Sequence, residues 1–312
     1  MPGRTYSETR ASPPWEIEIG EGPVVAVALH AGHEVSPEVA RCLALPESVR
    51  LREEDPGTEL FTELGVTRVV VHRSRFQVDL NRPREAAVYR TPEAAWGLGV
   101  WRDGGPPEPL VERALAEYDA FYEEMEELLA AHAARWGRFA VYDLHSYNHR
   151  RAGPQAPPED PAGAPEINVG TGALDRDRWA PVVERFMAEL ACCDFYDRRL
   201  DVRENVRFRG GHFPAWVART FPRRGCPLAI EVKKSYLDEW TGEIDLQVAE
   251  GIRAALARTV PGVTEVLRRV AHSGLRGRYR APAPEAGGFS AQVFQPAGPA
   301  VRWPPSPSAG RR

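Results

Sequence analysis

Four short runs dominated by valine and other apolar residues constrain this chain most. They lie at residues 23–29 (PVVAVAL), 68–72 (RVVVH), 139–144 (FAVYDL) and 227–232 (PLAIEV). Runs this short, apolar at consecutive positions instead of alternate ones, suit strands covered on both faces. Each gives way to a polar or charged segment, so four central strands are predicted. Between the second and third, Leu110, Leu115, Tyr118, Phe121, Tyr122, Met125, Leu128 and Leu129 recur at spacings of three and four, with glutamates on the remaining face. That is an amphipathic helix. Further helices are predicted at 174–190, where Trp179, Val183 and Phe186 share a face, and at 244–267, broken by Pro261. Strands separated by helices predict an α/β fold: a mixed, mostly parallel central sheet with helices on both faces.

One domain at residues 23–275 is expected, preceded by an N-terminal extension (1–22) and followed by a Pro/Gly-rich, disordered tail (276–312). Residues 151–165 (RAGPQAPPEDPAGAP) carry too much Pro and Gly for a regular element. They predict a long surface loop directly after the third strand, where an active-site lid would sit.

A net charge of −4, from mixed signs spread along the chain, provides no basic field to gather nucleic acid or an anionic membrane surface. Small molecules are the expected partners. Cys42, Cys192, Cys193 and Cys226 have neither zinc-ribbon spacing nor disulfide-scaffold density, so reduced, mostly buried thiols are expected. The first residues are polar and acidic where a signal peptide needs an apolar stretch, and no run approaches the length of a membrane span, so a cytoplasmic location is expected.

In open α/β sheets ligands bind beyond the carboxyl ends of the strands. His30, His33 and Glu34 follow the first run; Arg73, Arg75, Asp79, Asn81 and Arg82 lie close to the second; His145, His149, Arg150 and Arg151 follow the third; Glu231, Lys233 and Lys234 are on the fourth. Of only eight histidines, five (His30, His33, His72, His145 and His149) fall at these strand ends. Two histidines and a carboxylate, with a position left for water, make a hydrolytic zinc site, and a second carboxylate must move the proton. By this chemistry His30 and His145 are the imidazole ligands; Glu34, Glu53, Glu54 or Asp55 is the carboxylate, and Glu231 the proton shuttle. The competing reading makes the histidines structural and pairs Glu231 with Lys233 or Lys234. The arginines of residues 74–82 (SRFQVDLNR) suit a bidentate grip on a substrate carboxylate, or else a surface ion-pair network.

Several of these segments resemble one family. His30-Ala-Gly-His-Glu-Val-Ser-Pro is similar to the P-H-x-G opening of N-formylglutamate amidohydrolases, and SRFQVDLNRP to their S-R-F-x-x-D-L-N-R-P signature. Residues 142–146 (YDLHS) resemble their D-x-H-S segment, 208–211 (FRGG) their F-x-G-G loop and 228–231 (LAIE) their L-x-L-E strand. The D-L-N-R tetrad also links the family to aspartoacylases and zinc carboxypeptidases, which implies a phosphorylase/hydrolase-like sheet. The resemblance implies one Zn2+ per chain on His30 and His145. It makes Glu231 general base and acid and Arg75 the oxyanion stabiliser, with Asn81 and Arg82 holding the substrate's α-carboxylate. In aspartoacylases and carboxypeptidases the carboxylate ligand lies three residues after the first histidine, where this chain has His33. The acidic cluster of residues 52–55 is similar to one in the deformylases, which favours Asp55 as third ligand, with Glu54 and Glu34 as alternatives. Arg150 and Arg151 are candidates for a second substrate carboxylate, against a reading as solvated loop arginines.

The activity so implied is hydrolysis of an N-formyl or other N-acyl amino acid such as N-formyl-L-glutamate. A zinc carboxypeptidase or peptide amidase acting on a longer substrate, and a binding protein without turnover, are the alternatives. The resemblance does not account for 96–101 (WGLGVW), for the run HSYNHRR from His145 as a whole, or for 233–242.

Overall fold

The computed structural model describes residues 13–273, so the tail expected at 276–312 lies outside the described residues. The chain opens with β1 (Trp15–Glu18) and β2 (Val24–Ala28), followed by α1 (Pro37–Cys42), α2 (Glu47–Glu53), β3 (Thr67–Val71), α3 (Glu108–Trp136) and β4 (Phe139–Tyr147). Next come β5 (Ile167–Gly170), α4 (Arg176–Ala191) and a small hairpin of β6 (Asp194–Phe195) and β7 (Arg198–Arg199). The remaining elements are β8 (Val202–Glu204), α5 (His212–Thr220), β9 (Gly225–Lys233) and α6 (Leu246–Ser273).

Seven strands form one sheet in the order β1-β3-β2-β4-β9-β5-β8. The four strands expected from the apolar runs, β3, β2, β4 and β9, are mutually parallel at its centre. β5 joins β9 antiparallel and β8 runs parallel to β5. β1 arises within residues 1–22, expected as an extension, and pairs antiparallel with β3. Its residues alternate between exposed and half-buried, as on an edge strand, and so carry no continuous apolar signal.

Residue parity divides the core. Val24, Ala26, Ala140, Tyr142, Leu228 and Ile230 pack with Trp179 and Phe186 of α4 and Leu256 and Val263 of α6. Val25, Val27, Val69, Val71, Phe139 and Val141 pack on the other face with Phe121 and Met125 of α3 and Phe213 of α5. Both faces of the sheet are therefore covered, which is why the central strands are apolar at every position.

α6 runs through Pro261 without the break expected from sequence. The lost hydrogen bond and ring clash cost roughly 3 kcal/mol. Leu256, Val263 and Leu267 lie on both sides of the proline and are fully buried against the sheet and α4, each contributing about 1.5–3 kcal/mol. Packing wins. Residues 151–165 form the irregular, largely exposed loop expected between β4 and β5. All four cysteines are free; Cys193 and Cys226 are buried, Cys42 is intermediate and Cys192 exposed. Among the described residues no helix is long and apolar enough to cross a membrane.

Candidate active site

Asp143 and His145 share parity with Phe139 and Val141, and therefore project from β4 toward the face covered by α3 and α5. Glu231 of β9 is the cross-strand partner of His145 and shares that face. His30 follows β2 on the loop His30-Ala-Gly-His. That loop runs against the end of β3: Glu34 donates its N–H to the His72 carbonyl at 3.0 Å. A Cβ on Gly32 would sit 2.0 Å from the His72 carbonyl carbon, so only glycine allows this approach. Asp55 lies just beyond α2, tied to His30 by a backbone N–H···O bond of 2.9 Å.

His30, Asp55 and His145 are all buried, and their ligand atoms lie within 4.8 Å of one another. Asp55 Oδ2 is 3.1 Å from His145 Nδ1 and 3.5 Å from His30 Nδ1. A tetrahedral zinc with bonds of about 2.0–2.2 Å needs neighbouring ligand atoms roughly 3.3–3.5 Å apart; the His30–Asp55 pair has that spacing and the His145–Asp55 pair is slightly closer. The outer nitrogens are engaged by carboxylates: His30 Nε2 donates to Asp79 Oδ1 at 2.8 Å and His145 Nε2 to Asp143 Oδ1 at 3.0 Å. Nε2–H donation fixes the tautomer that turns a lone pair on each Nδ1 inward. His30 Nδ1 is buried with no hydrogen-bond partner. A buried, inward-facing acceptor beside a carboxylate suits a cation.

Burial opposes the charge on Asp55, yet the adjacent His145 and His30 imidazoles and the nearby Lys234 hold its carboxyl far below the usual range. Burial likewise opposes protonation of His145, but Asp143 and Asp55 outweigh it and raise the imidazole well above its ordinary value. Each shift describes the cluster holding a proton where a metal cation would replace it.

Glu231 behaves differently. Burial, reinforced by Asp55 and Asp143 and opposed by His145, pushes its carboxyl up to about 7. That value suits a group that must take and return a proton near neutral pH. The structure does not pair it with either lysine. Lys233 Nζ donates to the Ala164 carbonyl at 3.1 Å, and buried Lys234 donates to the carbonyls of Arg52 and Glu54 at 2.7 and 2.6 Å, around the C-terminus of α2.

Arg75 donates to Asp79 Oδ2 at 2.8 Å, to the Tyr89 hydroxyl at 3.1 Å and to the Glu53 carbonyl at 3.3 Å. Arg82 donates to the Ala94 carbonyl at 3.2 Å. Trp96 covers both, 4.9 Å from the Arg75 guanidinium and 5.5 Å from that of Arg82. It ends a short 3₁₀ turn in the left-handed conformation, with φ 55°. Asn81 Oδ1 accepts from the Phe213 N–H at 2.9 Å, which turns its amide nitrogen to within 3.2 Å of His145 Nε2.

Arg150 stands apart from this cluster: its side chain is exposed and bonds the Ala156 carbonyl at 3.4 Å. Glu34 is exposed, Glu53 pairs with Arg151, and Glu54 is committed to Arg50 and Ser74. Of the four carboxylates open to the third position, the structure brings only Asp55 to both histidines. The supporting roles of Asp79, Asp143 and Lys234 were not visible in the sequence. One signal existed: Asp143 and His145 are two apart on a strand and must share a face.

A buried His-Asp-His constellation beside a neutral-range carboxyl, at the carboxyl edge of a mostly parallel sheet, defines the class: an α/β enzyme equipped for hydrolytic chemistry. A family model described as N-formylglutamate amidohydrolase matches residues 22–237, and the chain belongs to that amidohydrolase family. It is 30% identical over 207 residues, 62% of this chain and 74% of the relative, to the N-formylglutamate deformylase of Pseudomonas aeruginosa. The fold is similar to that of an N-formylglutamate amidohydrolase from Ralstonia eutropha JMP134, with a TM-score of 0.62 and 18% identity, covering 82% of this chain and 98% of that one. It is also similar to a gene product of Agrobacterium tumefaciens, with a TM-score of 0.54 and 19% identity, covering 84% and 96%.

Proposed function

We propose that this protein is a zinc-dependent, cytoplasmic amidohydrolase that converts N-formyl-L-glutamate and water into L-glutamate and formate. The observation that carries this reading is the buried His30–Asp55–His145 cluster, with both Nδ1 atoms facing the Asp55 carboxylate and Glu231 beside His145. A zinc ion held by these three residues would acidify water and polarise the formyl carbonyl. Glu231 takes a proton from the water whose oxygen attacks the formyl carbon. The C–N bond then breaks, and Glu231 returns the proton to the departing amine. Arg75, fixed by Asp79, supplies a permanent positive charge for the oxyanion. Asn81 and Arg82 bind the α-carboxylate; the Asn81 N–H bonds stay available because His145 Nε2–H already donates to Asp143.

The test is elemental analysis of freshly purified protein together with formate release from N-formyl-L-glutamate, with and without a chelator. One zinc per chain and chelator-sensitive release are expected. Zinc without release would overturn the substrate, and release from metal-free protein would overturn the metal.

A further inference from the structure

We infer that Arg207 reads the side-chain carboxylate of a dicarboxylic acyl amino acid, and that Glu159 occupies its guanidinium as an internal stand-in until substrate displaces it. The substrate's identity rests on the amidohydrolase reading above; the binding chemistry does not.

Arg207 is anchored next to the proposed base. Asn168 of β5 is the cross-strand partner of Glu231, on the side of β9 away from His145. Its side chain accepts the Arg207 N–H at 2.8 Å and donates to the Phe208 carbonyl at 2.8 Å. Asn205, in the left-handed region at φ 55°, fixes the preceding turn through bonds of 2.9 and 2.8 Å with Thr171. The Arg207 backbone is thus preorganised. Asn168, to which the Arg207 backbone is tied, lies on the β5 side of Glu231, while Asn81 meets His145 on the β4 side. An N-formyl dicarboxylic amino acid carries both carboxylates on the amine side of the scissile bond, on different carbons, so each needs a cationic partner of its own.

The side chain is equally well defined. The Arg207 guanidinium lies 4.9 Å from the ring of Tyr147, the last residue of β4, and 5.6 Å from that of Phe208. Aromatic faces orient a guanidinium while leaving its N–H fork free. Glu159, on the exposed loop 151–165, fills that fork with both oxygens: Nη2 donates to Oε1 at 3.3 Å, and Nη1 to Oε2 at shorter range. This is the geometry in which a substrate carboxylate would bind.

The loop backbone is tied independently of that pair. Glu159 donates its N–H to the His149 carbonyl at 2.7 Å, and Arg203 donates to the carbonyls of Pro161 and Ala162. Turning the Glu159 side chain alone therefore frees Arg207. The other nearby arginines are differently engaged: Arg150 with the Ala156 carbonyl, Arg151 with Glu53, and Arg203 with Asp201.

The test is calorimetric binding of glutarate to wild-type, Arg207→Gln and Glu159→Gln protein, beside formate release from N-formyl-L-glutamate and N-formyl-L-glutamine. Arg207→Gln should weaken glutarate binding about 10- to 100-fold and reduce the preference for the glutamate compound by a similar factor. Glu159→Gln should tighten glutarate and lower the KM for N-formyl-L-glutamate about two- to fivefold. Arg207→Lys, which keeps the charge and loses the fork, should fall between the two Arg207 states and serves if the glutamine variant misfolds. Unchanged glutarate affinity in the Arg207 variants, weaker binding in Glu159→Gln, or no glutarate binding by wild-type protein would each overturn the inference. If wild-type protein hydrolyses neither formyl compound, the amidohydrolase reading fails while the glutarate measurement still decides the role of Arg207.

Discussion

His145 on β4 and Glu231 on β9 are direct partners in a parallel register, so the sheet itself holds a candidate metal ligand and the candidate base side by side. The two carry opposite demands. Asp143 and Asp55 keep the His145 imidazole basic against burial, while burial drives Glu231 toward neutrality. These opposite shifts accord with the roles proposed above, metal ligand for His145 and proton carrier for Glu231.

Glu231→Gln keeps the shape and removes the proton acceptor. A general base contributes typically 10²–10⁴-fold, so kcat for N-formyl-L-glutamate should fall by about that factor while zinc content stays at the wild-type level. Elemental analysis and initial rates on one preparation check both. Near-normal kcat would remove Glu231 from the mechanism.

Asp79 is fully buried and accepts hydrogen bonds from His30 Nε2 (2.8 Å), Arg75 Nη2 (2.8 Å), the Asn81 N–H (2.9 Å) and the Tyr89 hydroxyl. It orients the proposed metal ligand His30 and the proposed oxyanion arginine Arg75 together. Asp79→Asn should lower zinc affinity about 10- to 100-fold, the usual effect of losing a carboxylate behind a histidine ligand. Competition with a chromogenic chelator measures it; unaltered affinity would show that His30 does not depend on Asp79.

What the sequence conveys here follows from how local each feature is. β2, β3, β4 and β9 are legible because strands buried on both faces must be apolar at every position, whereas β5 and β8 are short strands interrupted by polar residues: Asn168, bonded to the backbone of Arg207 and Phe208, and Glu204, paired with Arg176. His30, His145 and Glu231 stand out because histidine is scarce in this chain and a carboxylate inside an apolar run is costly unless it has a partner. The third ligand is not legible from spacing, since Glu53, Glu54 and Asp55 are adjacent and only the turn after α2 decides which one faces the histidines. Arg150 shows the converse: it is close in sequence to His145, yet its guanidinium is exposed and bonds the Ala156 carbonyl on the long loop. Arg207, which the sequence places far from every motif histidine, has its backbone tied to Asn168, the β5 partner of Glu231.

Gly211 begins α5 where Asn81 packs against it. A Cβ there would lie 2.4 Å from Asn81 Oδ1 and 2.5 Å from Nδ2. Gly211→Ala must therefore push Asn81 off the Phe213 N–H and away from His145, at a cost of about 1–3 kcal/mol. The KM for N-formyl-L-glutamate should rise at least about tenfold with zinc retained. Gly99→Ala, where nothing lies within 4 Å of the new Cβ, is the control and should leave KM unchanged.

The raised carboxyl of Glu231 also makes a prediction about stability in metal-free protein. Its value moves from 4.5 to about 7 on folding, so the folded state binds this proton more tightly than the unfolded state does. Between those values the folded chain carries the extra proton, and the slope of stability against pH from this group is negative. The penalty is absent below about pH 4.5 and fully present above about pH 7. At one pKa unit per 1.36 kcal/mol it reaches up to about 3 kcal/mol, reduced by the solvent that partly reaches the side chain. Metal-free Glu231→Gln should therefore be more stable than metal-free wild type near pH 8, and the difference should vanish near pH 4. Urea denaturation of both proteins across this range measures it. A variant less stable than wild type near pH 8 would mean that the Glu231 charge is compensated by the fold, in which case the carboxyl would not be held ready to take up a proton near neutral pH.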